Sequence, residues 1–244
     1  MGFRCGIVGL PNVGKSTLFN ALTRAGVQAE NYPFCTIDPN VGMVEVPDQR
    51  LRKIAEFVQP SRVIPAAMEF VDIAGLVSGA SQGEGLGNRF LSHIREVDAI
   101  AHVVRAFEDP DVSHVANQID PLSDIATVDT ELALADLETV ERALDKSLKG
   151  SKAGDKAQLQ MARLLERVQA RLDSGTPVRT MALAQIERAA LTPLCLLTAK
   201  PVLYVSNVDE QDLQGAAGSN VAAVQAHAHD FGDELVLVLS LIHI

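Results

Sequence analysis

The sequence predicts an α/β fold: a mostly parallel sheet with helices on both faces and an inserted antiparallel helical hairpin. Three observations lead there. Short apolar runs recur along the chain, segments of helical spacing separate several of them, and a glycine-bearing loop joins the first run to the first helix. The 244 residues are 47% hydrophobic, enough for one large core with an insertion.

Phe3 to Val8 is an apolar run that ends at Gly9, and Ser16 to Ala25 carries Leu18, Ala21, Leu22 and Ala25 at helical steps. This reads as strand, loop, helix. Further strands are expected at Val41 to Val46, Met68 to Asp72, Ala99 to Val104, Val202 to Ser206 and Leu235 to Leu239. Residues 1–125 and 198–244 then form the α/β domain, and residues 126–197 the insertion. Within the insertion, Thr130 to Lys149 places Leu137, Val140, Leu144 and Leu148 on one stripe, and Leu159 to Leu172 does the same with Leu165, Val168 and Leu172. The polar, glycine-bearing link from Lys149 to Lys156 makes these two helices a hairpin, and the stripes its seam.

Composition narrows the class of partner. A formal charge of −10 argues against broad adhesion to nucleic acid, so no DNA partner is expected and any RNA must be met locally. The apolar runs are far shorter than the roughly 20 residues that span a bilayer, and the N-terminus lacks a secretory signal. Cys5, Cys35 and Cys195 have neither metal-ligand spacing nor an even disulfide framework. They read as core or loop thiols in a reducing cytoplasm.

The chemistry begins at Gly9-Leu-Pro-Asn-Val-Gly-Lys-Ser16, which matches the G-x-x-x-x-G-K-S pattern of a phosphate-cradling P-loop. Glycines let backbone N–H groups curl around phosphate oxygens, and the following helix aims its positive end at the anion. The phosphate-binding set is Gly9, Asn12, Val13, Gly14, Lys15, Ser16 and Thr17, with Lys15 reaching the β- and γ-phosphates. Ser16 is expected on Mg2+. Val71-Asp72-Ile73-Ala74-Gly75 closes a strand with a D-x-x-G tetrapeptide. There Asp72 holds the magnesium through water and the Gly75 N–H senses the γ-phosphate. Thr36, flanked by Pro33 and Pro39, completes the metal shell as a switch threonine.

Leu76 stands where signalling GTPases carry the glutamine that orients the attacking water. Either hydrolysis is slow or another polar group enters the site. Among the histidines, His93 falls on a helix and His102 in a strand, both structural in reading. His114, in the segment Asp109 to His114, is either an exposed loop residue or one that closes over the phosphates. The run Gly79 to Gly87 carries four glycines and reads as a switch hinge.

GTPases read guanine with N-K-x-D after a late strand; here Asn207-Val208-Asp209-Glu210 follows that strand. The lysine is absent, and Glu210 occupies the place of the discriminating aspartate. A base site of Asn207, Val208 and Glu210 fits adenine, whose N6 and N7 an asparagine can bond.

Gly6 to Thr17, Asn31 to Asn40, Phe70 to Val77, Gly79 to Gly87, Thr130 to Leu137 and Asn207 to Glu210 together resemble the Obg-like ATPase, or YchF, family over about 235 residues. The resemblance implies a GTPase-like domain with a helical hairpin, ATP bound in preference to GTP, magnesium dependence and association with ribosomes. It also implies that His114 assists hydrolysis. Family members continue past Leu239 into a base-contacting loop and a TGS domain. The ending Ser240-Leu-Ile-His-Ile244 instead resembles a truncated or frameshifted reading frame, so the TGS domain is expected to be absent. The function expected is slow ATP hydrolysis to ADP and phosphate. The alternatives are a nucleotide-gated ribosome-binding switch with negligible turnover, or a conventional Obg-type GTPase.

Overall fold

The computed structural model describes residues 2–24, 40–73, 86–107, 119–152, 154–213 and 218–239. Its centre is a six-stranded sheet in the order β2-β3-β1-β4-β5-β6. The strands are β1 (Phe3–Val8), β2 (Val41–Glu45), β3 (Ala67–Asp72), β4 (Ala99–Arg105), β5 (Val202–Asn207) and β6 (Glu234–Val238). Every strand expected from the sequence is present within one or two residues. All neighbours run parallel except β2, which lies antiparallel on β3 at one edge.

The central strands β4 and β5 are largely apolar runs because both of their faces are covered. In β4, His102 and Val104 share a face with Tyr204 of β5, where helix α8 (Ser219–Phe231) packs Val224 and Ala228 against them. Ala101 and Val103 alternate to the other face and join the main core with Ile7, Phe19, Ile94 and Val205. Phe19 comes from α1 (Lys15–Arg24) and Ile94 from α3 (Leu86–Arg95).

Helix α4 (Pro121–Lys152) is longer than its seam predicted. Asp120 accepts the Ser123 N–H at 3.1 Å and Pro121 supplies a preset first turn, so the helix starts well before Thr130. One helix therefore serves three clusters. Ile125 joins the cluster on the α8 face and Val128 and Leu132 the main sheet core, whereas Val140 packs on Leu164, Leu165, Val168 and Leu172 of α5 (Lys156–Asp173). Asp155 starts α5 by accepting from Ala157 and Gln158 N–H. Each fully buried side chain in that seam stabilises it by about 1.5–3 kcal/mol.

The return from α5 to β5 passes through 3-10 turns at Val178–Thr180 and Thr192–Leu194 with α6 (Gln185–Leu191) between them. Asp136 of α4 pins this return, accepting from Leu197 N at 2.8 Å, Thr198 N at 2.8 Å and Thr198 Oγ1 at 2.7 Å. Helix α2 (Gln49–Val58), between β2 and β3, has no buried residue. Cys5 lies in the core, where burial lifts its thiol to about 11, and Cys195 is exposed. Among the described residues, no helix is long and apolar enough to cross a membrane.

Candidate functional site

The loop between β1 and α1 is shaped by backbone that most side chains refuse. Gly9 has φ 154°, Asn12 φ 64° and Gly14 φ 100°. At Gly9 the constraint is double, since a Cβ would stand 2.4 Å from the Val103 carbonyl oxygen of β4. The loop thus leaves the sheet pressed against its central strand, a path open only to glycine. It ends where Leu18 N–H bonds the Gly14 carbonyl at 3.0 Å and α1 begins.

Inside this loop Lys15 is buried, and its ammonium donates to the Leu10 carbonyl at 2.6 Å. Burial lowers its pKa to about 8, opposed by the negative charge of Asp72. A cation held this way favours an incoming anion, which restores the solvation the ammonium has lost. Ser16 is exposed at the first turn of α1 and donates its hydroxyl to Asp72 Oδ2 at 3.0 Å. Asp72 arrives there because β3 runs parallel to β1, with Ile7 opposite it. Its other oxygen, Oδ1, is buried without a hydrogen-bond partner among the described residues. An orphaned carboxylate oxygen beside a serine hydroxyl is an all-oxygen donor set of the kind hard divalent cations take.

The base-side motif leaves the carboxyl end of β5. Asn207 is buried and gives an amide hydrogen to the Val13 carbonyl at 3.0 Å, tying this strand to the phosphate loop. The sequence reading assigned Asn207 to the base and did not anticipate this tie. Val208 is buried, with its N–H on the Val238 carbonyl at 2.9 Å, and Glu210 opens the short helix α7 (Glu210–Leu213), exposed. Asn12 is exposed and Thr17 half-buried on α1. The structure therefore brings Gly9 to Thr17, Asp72 and the Asn207 end of β5 together at the carboxyl end of the sheet.

Thr36, Gly75, Leu76 and His114 lie outside the described residues, as does most of the run from Gly79 to Gly87. His93 is exposed on α3, and His102 is wholly buried in β4, where desolvation and the nearby Arg179 charge push it down to about 3. His102 thus packs in the core as expected, whereas the exposed His93 lies outside it. Arg105, fully buried at the end of β4 with its guanidinium 4.4 Å over the Phe107 ring, was missed. Its one signal is a charge closing an apolar strand.

Comparison with known proteins agrees with this geometry. The family described as 50S ribosome-binding GTPase matches residues 4–140. The Ribosome-binding ATPase YchF of Haemophilus ducreyi is 57% identical over 214 residues, covering 88% of this chain and 59% of that protein. Its counterpart in Bacillus subtilis is 50% identical over 243 residues, covering 99% and 66%. The solved structure of the Schizosaccharomyces pombe YchF GTPase superposes with a TM-score of 0.83 at 38% identity, over 98% of this chain and 66% of that one. The chain thus spans about three-fifths to two-thirds of the length of these relatives. With its P-loop, its Asp72 strand and its sheet order accounted for, the chain belongs to the 50S ribosome-binding GTPase family, on its YchF branch.

Proposed function

We propose that this chain binds ATP, and GTP more weakly, together with Mg2+, and hydrolyses ATP slowly to ADP and phosphate. The observation that carries the reading is the convergence of buried Lys15, the Ser16 hydroxyl and the half-orphaned Asp72 carboxylate at the mouth of the P-loop. Lys15 and the loop N–H groups hold the β- and γ-phosphates and offset the charge that develops on them. Ser16, Asp72 and Thr36 are the groups that would hold magnesium, which supplies positive charge to the phosphate oxygens when bound. The Gly75 N–H contacts the γ-phosphate end. With Leu76 in the glutamine position, His114 is the group that aligns the attacking water, and turnover is slow for want of the glutamine.

At the other end, Asn207, Val208 and Glu210 receive the base. Glu210, one methylene longer than aspartate, displaces the carboxylate that guanine needs, which favours adenine. The relatives from Haemophilus ducreyi and Bacillus subtilis are ribosome-binding ATPases. This supports a ribosomal partner in the cytoplasm, with residues 1–125 and 198–244 as the nucleotide domain and 126–197 as an inserted hairpin. Phosphate release from ATP by the purified chain tests the reading. His114→Ala is expected to lower turnover by about a hundredfold with ATP affinity retained. Asp72→Asn is expected to remove the magnesium dependence along with turnover. Unchanged turnover in both variants would sink the proposal.

A further inference from the structure

A cavity of about 640 Å³ opens at the end of the sheet opposite the P-loop. Its rim includes Asp98, Pro201 and Asp233, the residues that precede β4, β5 and β6, whereas the P-loop follows the carboxyl end of the parallel strand β1. The volume lies within the roughly 300–1,000 Å³ usual for small-molecule sites. Nothing in the nucleotide chemistry uses it.

Three cations on its wall are held by neutral acceptors. The Arg95 guanidinium donates to the carbonyls of Cys195 at 3.2 Å and Ala135 at 3.4 Å and to the Thr139 hydroxyl at 3.1 Å. The Lys200 ammonium donates to the carbonyls of Arg95 at 3.2 Å and Val97 at 2.5 Å. Arg188 gives its Nε–H to the Leu183 carbonyl at 3.2 Å and is otherwise exposed. Among the described residues none of the three forms an ion pair, although Arg179 on the same wall is paired with Asp233 at 2.8 Å. Glu96 and Asp98 also line the cavity, and Asp98 is engaged by the Arg4 backbone N–H. Each unmatched cation keeps N–H donors in hand, because a guanidinium has five and an ammonium three. Between them the wall is apolar, formed by Met181, Leu183 and Leu191.

We propose that this cavity is a second ligand site, taking a small organic anion whose carboxylate or phosphate head meets Arg95, Arg188 and Lys200 and whose short apolar tail lies on Met181, Leu183 and Leu191. In a chain of net charge −10, three cations with no carboxylate in ion-pair contact among the described residues, and with the longer-range charges of Asp98 and Asp136 acting on Lys200 and of Asp136 on Arg95, recruit an anion of that size. The site is separate from the phosphate loop, and its ligand binds alongside ATP. Arg95, the last residue of α3, lines it, so the site touches the end of the helix nearest the D-x-x-G motif in sequence.

Calorimetric titration of the full chain with hexanoate, hexyl phosphate and hexanol, with and without saturating ATP, tests this. One or both anions are expected to bind once per chain, at least about tenfold tighter than hexanol, and to slow alkylation of Cys195, which lines the cavity. The tighter of the two identifies the head group. Arg188→Gln, which gives up one surface hydrogen bond, is expected to weaken the anion about tenfold while leaving ATP affinity unchanged. Hexanol binding as well as the anions, displacement of the anion by ATP, or an Arg188→Gln chain that binds normally would each overturn the proposal. A failure of ATP binding alone would leave it standing.

Discussion

Replacing Gly9 by alanine puts a methyl group where the backbone of the central strand already lies. The new Cβ would be 2.4 Å from the Val103 carbonyl oxygen and 3.1 Å from Val13 Cγ2, at a φ of 154° that side chains resist. Val103 cannot retreat cheaply, because β4 is bonded to β1 on one side and β5 on the other. Backbone strain of this kind costs about 1–3 kcal/mol and overpacking about as much again, so the substitution should cost roughly 2–6 kcal/mol. A domain holds only about 5–15 kcal/mol in total. The chain has no tryptophan, so urea unfolding is followed by far-ultraviolet circular dichroism. The midpoint should fall with its slope unchanged, and ATP binding should be lost. Gly232→Ala is the control: it also has positive φ, 71°, but nothing within 4 Å of the new atom. It should cost about 1–2 kcal/mol and leave ATP binding intact. A Gly9→Ala chain as stable as the parent and binding ATP normally would refute the argument.

Other perturbations follow from single contacts. Asp136→Ala strips the acceptor from two backbone N–H groups and the Thr198 hydroxyl in a buried place, and should destabilise by about 3–5 kcal/mol in the same urea assay. Asn207→Ala leaves the Val13 carbonyl unpaired at a cost of about 1–3 kcal/mol, and should weaken nucleotide binding by loosening the P-loop. Burial lifts the Asp129 carboxyl to about 6 from its ordinary 3.8, so the folded chain holds that proton more tightly than the unfolded one. Its contribution is therefore full below about pH 4 and lost as pH rises through 6. Asp129→Asn should gain up to about 3 kcal/mol of stability above pH 7 relative to the parent and little below pH 4, read from paired unfolding curves.

The strands were legible because each is a short apolar run bounded by glycine, proline or a charge, and the parallel order followed from the helical segments between them. Helix α4 was legible only from Thr130 onward, where one stripe faces α5. Its first turns bury a different face on the sheet, so a single periodicity does not run through both halves. The P-loop and Asp72 were readable because their chemistry depends on local spacing. The Asn207 tie to Val13 spans 194 positions and the Asp136 clamp on Leu197 and Thr198 spans 61 and 62. Contacts of that reach are set by the fold, and nothing in the local pattern announces them. Helix α2 is amphipathic yet has no buried residue, so its pattern alone does not say what it packs against.

In the proposed function the Lys15, Ser16 and Asp72 cluster holds a magnesium-bound triphosphate and the Asn207–Glu210 end prefers adenine. Titrating Mg–ATP and Mg–GTP into the purified chain, with Lys15→Ala beside it, tests both halves. Saturable binding of both nucleotides is expected, ATP the tighter, with neither bound by Lys15→Ala. Guanine nucleotide bound about tenfold tighter than ATP, a difference of about 1.4 kcal/mol, or ATP bound equally well without Lys15, would contradict it.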